Sequence, residues 1–198
     1  MTNPHILRKA YKEVHNLDID QLLRTHSPGR NEKYYQILLL SKENLINESY
    51  KLELTADAII KGSNSARPTW YTYFKSVDDY YAETLDVIGK VMLDHTMNKL
   101  SSSQNFEDWT SKIGELRMEV FLSNIKSLAC YFPKLLPHWQ SYYDKVIDGY
   151  TAFLQPMLKL SLGRAKLLVR NMVNEMILHA EKYYKNPGLY SQYVKIEL

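Results

Sequence analysis

At 198 residues, 45% hydrophobic and 24% charged, the chain carries enough apolar surface for one domain, or for a small domain joined to a larger one, and too much for disorder. A formal charge of +3 permits a nucleic-acid partner without requiring one. Apolar runs such as Ile37 to Leu40 fall far short of the roughly 20 residues of a membrane span, and no charged-then-apolar leader opens the sequence, so the expectation is a cytoplasmic protein with no membrane partner. Cys130, the single cysteine, excludes an internal disulfide and a Cys-built zinc site, and reads as a small buried apolar residue.

In chain order the pattern is helical almost throughout, which predicts an all-α fold. A helix is expected near Ile6 to Val14, before the break "HSPGR" that ends at Arg30. Ile37, Leu38, Ser41 and Leu45 then share one helical face. Thr55 can cap a helix carrying Ile59 and Ile60, which Gly62-Ser63-Asn64 ends. Ser65 can cap the next, a short helix from about Ala66 to Tyr73 with Pro68 in its first turn, where a missing amide hydrogen does no harm. Ser76 opens the near capping box Ser-Val-Asp-Asp, after which Tyr81, Leu85, Ile88, Met92 and His95 recur at spacings of four and three, predicting one long amphipathic helix that "LSSSQN" closes. Asn105, with Glu107 and Asp108, opens another with Trp109, Ile113, Leu116 and Val120 on one face, ended by Pro133 and Pro137. A further helix from about His138 turns Tyr142, Val146, Tyr150 and Phe153 inward, with Pro156 near its end or kinking it. The last, Arg164 to Lys185, has two adjoining stripes, one of Ala165, Leu168, Met172, Met176 and Tyr183, the other of Val169, Val173, Ile177 and Ala180, and stops at Asn186-Pro187-Gly188.

Three short helices before at least four longer ones divide the chain into an N-terminal extension (1–29), a helix-turn-helix DNA-binding domain (30–75) and a longer helical domain (76–198), which the family resemblance given below implies is the effector-binding and dimerisation domain. In a helix-turn-helix the last helix enters the major groove, and here that helix is "ARPTWYTYF". Arg67 can reach guanine O6 and N7, and Pro68 a thymine methyl. Thr69, Tyr71, Thr72 and Tyr73 offer hydroxyls to phosphate oxygens. Trp70 and Phe74, spaced by four, are expected inside. Lys61, Arg67 and Lys75 stand in a window from Asp57 to Asp78 that holds no acid between those two. Thr55 and Ser65 complete the candidate DNA-contact set.

The segment "TADAIIKGSNSARPTWYTYFKSVDDYYAETL" resembles the DNA-binding segment of the TetR family of bacterial transcriptional regulators, whose pattern runs I-A-x-x-A-G-V-S-x-x-T-x-Y-x-x-F-x-s-K. Ile59 and Ile60 take the I-A place, Thr69 the Thr, Tyr71 the Tyr, Phe74 the Phe and Ser76 the small residue. Among the departures from the pattern, Asn64 replaces the turn Gly and tolerates a left-handed backbone, Ser65 replaces the Val, and Val77 replaces the Lys. The resemblance implies a repressor, a double-stranded DNA operator, a homodimer formed through the last two helices, and a cavity for a small-molecule effector. Trp109, Phe121, Trp139, Tyr142 and Tyr150 are candidate lining, though ordinary core would use the same residues. For the dimer contact, the stripe of Val169, Val173, Ile177 and Ala180 is the candidate.

Signs of catalysis are few. His5, His15, His26, His95, His138 and His179 form no ligand-spaced pair, and the seven glycines form no phosphate loop. Asp78 and Asp79 open a helix, where its dipole explains them. No enzyme activity, metal or cofactor is expected. The rival reading is a TetR-like co-regulator whose N-terminal module acts through a partner protein.

Overall fold

Residues 29–46, 55–116 and 118–183 are described by a computed structural model, and all regular structure among them is helical. The helix expected at 6–14 and the stop at 186–188 lie outside the described residues. In chain order the elements are α1 (Glu32–Ile46), α2 (Ala56–Gly62), α3 (Arg67–Tyr73), α4 (Val77–Thr84), a π-helical turn (Leu85–Gly89), α5 (Lys90–Ser101), α6 (Phe106–Leu116), α7 (Met118–Tyr131), a 3₁₀ turn (Pro133–Leu135), α8 (Leu136–Leu158) and α9 (Leu162–Tyr183). No helix among the described residues is long and apolar enough to cross a membrane. The described residues form two compact units, one of 29–46 and 55–93 with 124–142, the other of 94–116 and 118–123 with 143–183.

In the first unit an aromatic cluster joins α1, α3 and α4. Trp70 and Phe74 point inward as their spacing predicts, both buried. The Trp70 ring lies 4.8 Å from Phe74 and 5.1 Å from Tyr80, and Phe74 meets Tyr80 edge-on at 5.2 Å and stacks on Tyr34 at 5.9 Å. Such pairs add about 0.5–1.5 kcal/mol each beyond the area they bury. The hydroxyls are accommodated too: Tyr80 Oη donates to the Ile37 carbonyl at 3.0 Å and Tyr34 Oη to Glu83. Asn124 Nδ2 donates to the Leu45 carbonyl at 3.0 Å, satisfying an acceptor near the end of α1.

Two helix ends explain the local turns. Asn64 has φ of 49°; its amide donates to the Lys61 carbonyl and that of Ser65 to the Ile60 carbonyl, the paired bonds of a Schellman motif. Lys159, with φ of 53°, does the same after α8, its amide reaching Pro156 and that of Leu160 reaching Gln155. Pro156 therefore sits just before the end of α8, as expected. Ser65, expected to cap α3, instead belongs to the close of α2. The cap residue is Ala66, which makes no side-chain cap bond, and the Ser65 hydroxyl bonds that of Ser63 at 2.8 Å. The Thr55 cap forms as expected, its Oγ1 accepting from the Ala58 amide.

Other expectations shift. The helix predicted from Asn105 corresponds to α6 and α7, on either side of residue 117, which lies outside the described residues. Its start is as expected: Asn105 Oδ1 accepts from the Asp108 amide at 2.9 Å and Asp108 Oδ2 from the Gln104 amide at 2.9 Å, which, helped by Lys112, holds the Asp108 carboxyl below its ordinary range. α8 begins at Leu136, with Pro137 in its first turn, where no amide hydrogen is needed. Cys130 is exposed, since it lies in the last turn of α7 next to Tyr131, itself 60% exposed.

In the second unit Trp109 stacks on Phe153 at 5.7 Å and meets Tyr150 edge-on at 5.5 Å. Ala165, Val169, Val173, Ile177 and Ala180 form the buried stripe of α9.

Candidate functional site

The turn between α2 and α3 is held from both sides. Lys33 Nζ donates to the Ser63 and Asn64 carbonyls at 3.1 and 2.8 Å, fixing the turn to α1. Gly62 permits a close approach, since a Cβ there would lie 2.9 Å from Leu40 Cδ2. With Trp70 and Phe74 anchored in the core, helical geometry puts Arg67, Pro68, Tyr71 and Thr72 on the opposite, exposed face.

The candidate DNA-contact residues are not equally available. Lys61, Arg67, Pro68, Tyr71 and Lys75 are exposed, with Tyr71 at 52%. Thr69 and Tyr73 are half-buried, Tyr73 edge-on to Tyr34 at 5.5 Å. Thr55 and Ser65 have committed their hydroxyl oxygens, and Thr72 Oγ1 bonds back to the Pro68 carbonyl at 3.1 Å. Arg67 Nη2 lies 2.5 Å from Asp57 Oδ1. Both side chains are mostly exposed, so the pair is weak in water and exchangeable.

At the start of α4, Ser76 Oγ accepts from the Asp79 amide at 3.3 Å, and Asp78 forms an ion pair with Lys134 at 2.7 Å. The Lys134 hydrogen bond, aided by Ser76, lowers the Asp78 carboxyl from its ordinary 3.8 to about 2. The sequence reading missed Lys134 because no local pattern links residues so far apart. Where the TetR-like pattern has a lysine, this helix start therefore presents Val77 and a bridged carboxylate.

The candidate ligand residues divide between the two units: Trp139 and Tyr142 fall in the first, Trp109, Phe121 and Tyr150 in the second. Tyr142 Oη is committed, donating to the Leu85 carbonyl at 2.8 Å. Tyr150 packs beside Met118, Glu119, Leu122, Val146, Val173 and Met176, around a gap that leaves no room for a water molecule. Its hydroxyl is buried without a hydrogen-bond partner. Burial first, and the nearby Glu119 carboxylate second, push the Tyr150 phenol far above its ordinary value, so it stays neutral. Glu119 was missed by the sequence reading, although an acid set in the apolar run "MEVFL" is a visible oddity.

The stripe expected to face a second copy, Val169, Val173, Ile177 and Ala180, is buried within the chain itself and has no surface left for a partner. The exposed apolar residues of α9 are Leu162, Leu167, Leu168 and Leu178, between 45% and 61% exposed. Leu168, expected on an inward stripe, is among them. No family model and no curated protein matches this chain.

Proposed function

We propose that this chain is a DNA-binding transcriptional regulator of the TetR type, acting as a homodimeric repressor that a small-molecule effector releases. The observation that carries the reading is α3: a helix without an acidic residue, anchored by Trp70 and Phe74, that presents Arg67, Pro68 and Tyr71 to solvent after a tight turn through left-handed Asn64. Arg67 would read guanine, Pro68 would touch a thymine methyl, and Tyr71, Lys61 and Lys75 would set register on phosphates. Thr69, Tyr73, Thr55 and Ser65 would act mainly by shaping that surface.

Duplex-binding titrations at 50 to 200 mM salt test this. Binding whose logarithm falls linearly with log salt, by several ions released, supports it. No retention on any duplex at low salt overturns it. A second reading, a co-regulator whose N-terminal module docks on a partner protein, is favoured by the Arg67–Asp57 ion pair and by the acids Asp78 and Asp79 at the start of α4, which dilute the positive field. Absent DNA binding with α3-dependent capture of a protein would favour it.

A further inference from the structure

The end of the α8–α9 hairpin carries more than a chain reversal needs. Two bonds register the helices as antiparallel: Tyr143 Oη donates to Asn174 Oδ1 at 2.7 Å, and Lys166 Nζ to Asp148 Oδ1 at 2.7 Å. Only residues 159–161 join them, so Leu158, Leu160 and Leu162 gather at one end. A reversal this short normally has Gly or Asn at its left-handed position and polar residues around it. Here the left-handed residue is Lys159, with φ of 53°, and leucines stand on both sides. Leu158 is 37% and Leu162 60% exposed, and a Cβ added at Gly163 would meet nothing within 4 Å, so the space beside Leu162 is open. The charge here has one sign. No Asp or Glu occurs between Asp148 and Glu175, whereas Lys159, Arg164, Lys166 and Arg170 all do. Lys166 is held by Asp148, which leaves Lys159, Arg164 and Arg170, all exposed, as cations of this stretch without an ion pair among the described residues.

We propose that this hairpin end docks on an anionic lipid surface, with Leu158 and Leu162 entering the boundary between headgroups and acyl chains while Lys159 and Arg164 meet the lipid phosphates. The two kinds of side chain answer the two layers of a leaflet. Leucines gain by leaving water for acyl chains, and each cation near an anionic leaflet strengthens binding by about fivefold. A nucleic acid would answer the charge but not the leucines. It also binds through rings that stack on bases, and between Phe153 and Tyr183 the chain has no Phe, Tyr or Trp. An acidic peptide helix needs a groove to lie in, whereas these leucines sit at the end of a hairpin. No helix among the described residues can cross a bilayer, so the contact is peripheral and needs only the roughly 5–10 Å of depth that interfacial elements reach.

This docking stands apart from the regulatory reading above, and its test uses no DNA. The full chain would be sedimented with vesicles of phosphatidylcholine alone and of phosphatidylcholine with phosphatidylglycerol. Wild type is expected to bind only the anionic vesicles, and added salt to weaken that binding. Lys159→Gln with Arg164→Gln should lower the vesicle partition coefficient by about tenfold or more, and Leu158→Ser with Leu162→Ser by about tenfold. Both pairs should keep the helical circular dichroism, since all four side chains already face water. Tyr131→Ser with Lys90→Gln removes an exposed ring and an exposed cation from the first unit and should leave binding as it was. In Leu162→Trp, anionic vesicles should shift the emission to the blue and brominated acyl chains should quench it; wild type, whose Trp70 and Trp109 are buried, should show neither. No binding of anionic vesicles by the folded wild type overturns the proposal. So does binding that the leucine pair leaves unaltered, which reduces it to adsorption of charge. A leucine variant that changes sedimentation of the lipid-free protein while vesicle binding stays the same overturns it too, and gives the hairpin end to a second copy.

Discussion

Arg67 is where the DNA reading is most exposed to test, because its guanidinium is already in contact with Asp57 at 2.5 Å. A base contact must displace that carboxylate, and an exposed pair is worth only about 0–1 kcal/mol. Arg67→Ala should therefore cost about 1–3 kcal/mol on a specific site and flatten preference among sequences, whereas Tyr71→Phe should weaken operator and scrambled duplex alike. Asp57→Asn should do the opposite, tightening specific binding by up to about fivefold with little effect on stability. Shift assays on both duplexes check all three; an unaltered specificity ratio in Arg67→Ala removes the base-reading role. Asp78 offers a test on the fold alone. Its carboxyl is lowered from 3.8 to about 2 by the Lys134 hydrogen bond first and Ser76 second. A lowered carboxyl contributes stability above its unfolded value, so the contribution is full above pH about 4 and is lost as pH falls toward 2. In urea denaturation the gap between wild type and Asp78→Asn should close over that interval, and it should be small, since Lys134 is well exposed.

Among the elements, the π turn Leu85–Gly89 has an identifiable cause. The Tyr142 hydroxyl donates to the Leu85 carbonyl at 2.8 Å, and at Gly89 a Cβ would lie 2.6 Å from the end of the Tyr142 ring. A widened turn redirects carbonyls from their usual partners, and a glycine lets a side chain approach the helix there. Gly89→Ala should destabilise by about 1–3 kcal/mol through overpacking, Tyr142→Phe by about 0.5–1.5 kcal/mol, and the double variant by less than their sum if one contact underlies both. Additive losses in chemical denaturation would separate the glycine from the tyrosine. This turn also shows what the sequence could and could not convey. Trp70 and Phe74 inward, Asn64 left-handed, and the caps at Thr55, Ser76 and Asn105 were all legible, because spacing and side-chain chemistry act within a few residues. Tyr142 read as a pocket aromatic, because a ring at an inward position looks the same whether it lines a cavity or bonds a distant carbonyl. Ser65 was ambiguous for a local reason: a serine between two short helices can cap the second or close the first, and the left-handed Asn64 decided for the first. The approach of Glu119 to Tyr150 joins residues 31 apart in the chain, so only the aromatic half of it was visible beforehand.

For the molecule as a whole, the proposed repressor requires two copies, and α9 restricts how they can meet. Periodicity identified two adjoining stripes on this helix, and the expectation gave Val169, Val173, Ile177 and Ala180 to a second copy. The structure assigns the small and β-branched set, Val169, Val173, Ile177 and Ala180, to the interior, where such side chains pack with little rotamer cost. A charge at Val173 would thus disrupt the fold whether or not a dimer exists. Leu167 and Leu178 are different: they are 61% and 53% exposed and lie about three turns apart on nearly the same face. Single exposed leucines are common on monomers, but Leu167 and Leu178, sharing nearly one face of α9, are the exposed apolar pair that a second copy would cover. Leu167→Glu with Leu178→Lys should leave helical circular dichroism and melting close to wild type, since both side chains already face water. Sedimentation should change from dimer to monomer at micromolar concentration, and operator affinity should fall as the second half-site contact is lost. A variant that stays dimeric would move the contact off these leucines, and a wild type that sediments as a monomer while binding operator with full affinity would end the two-copy reading.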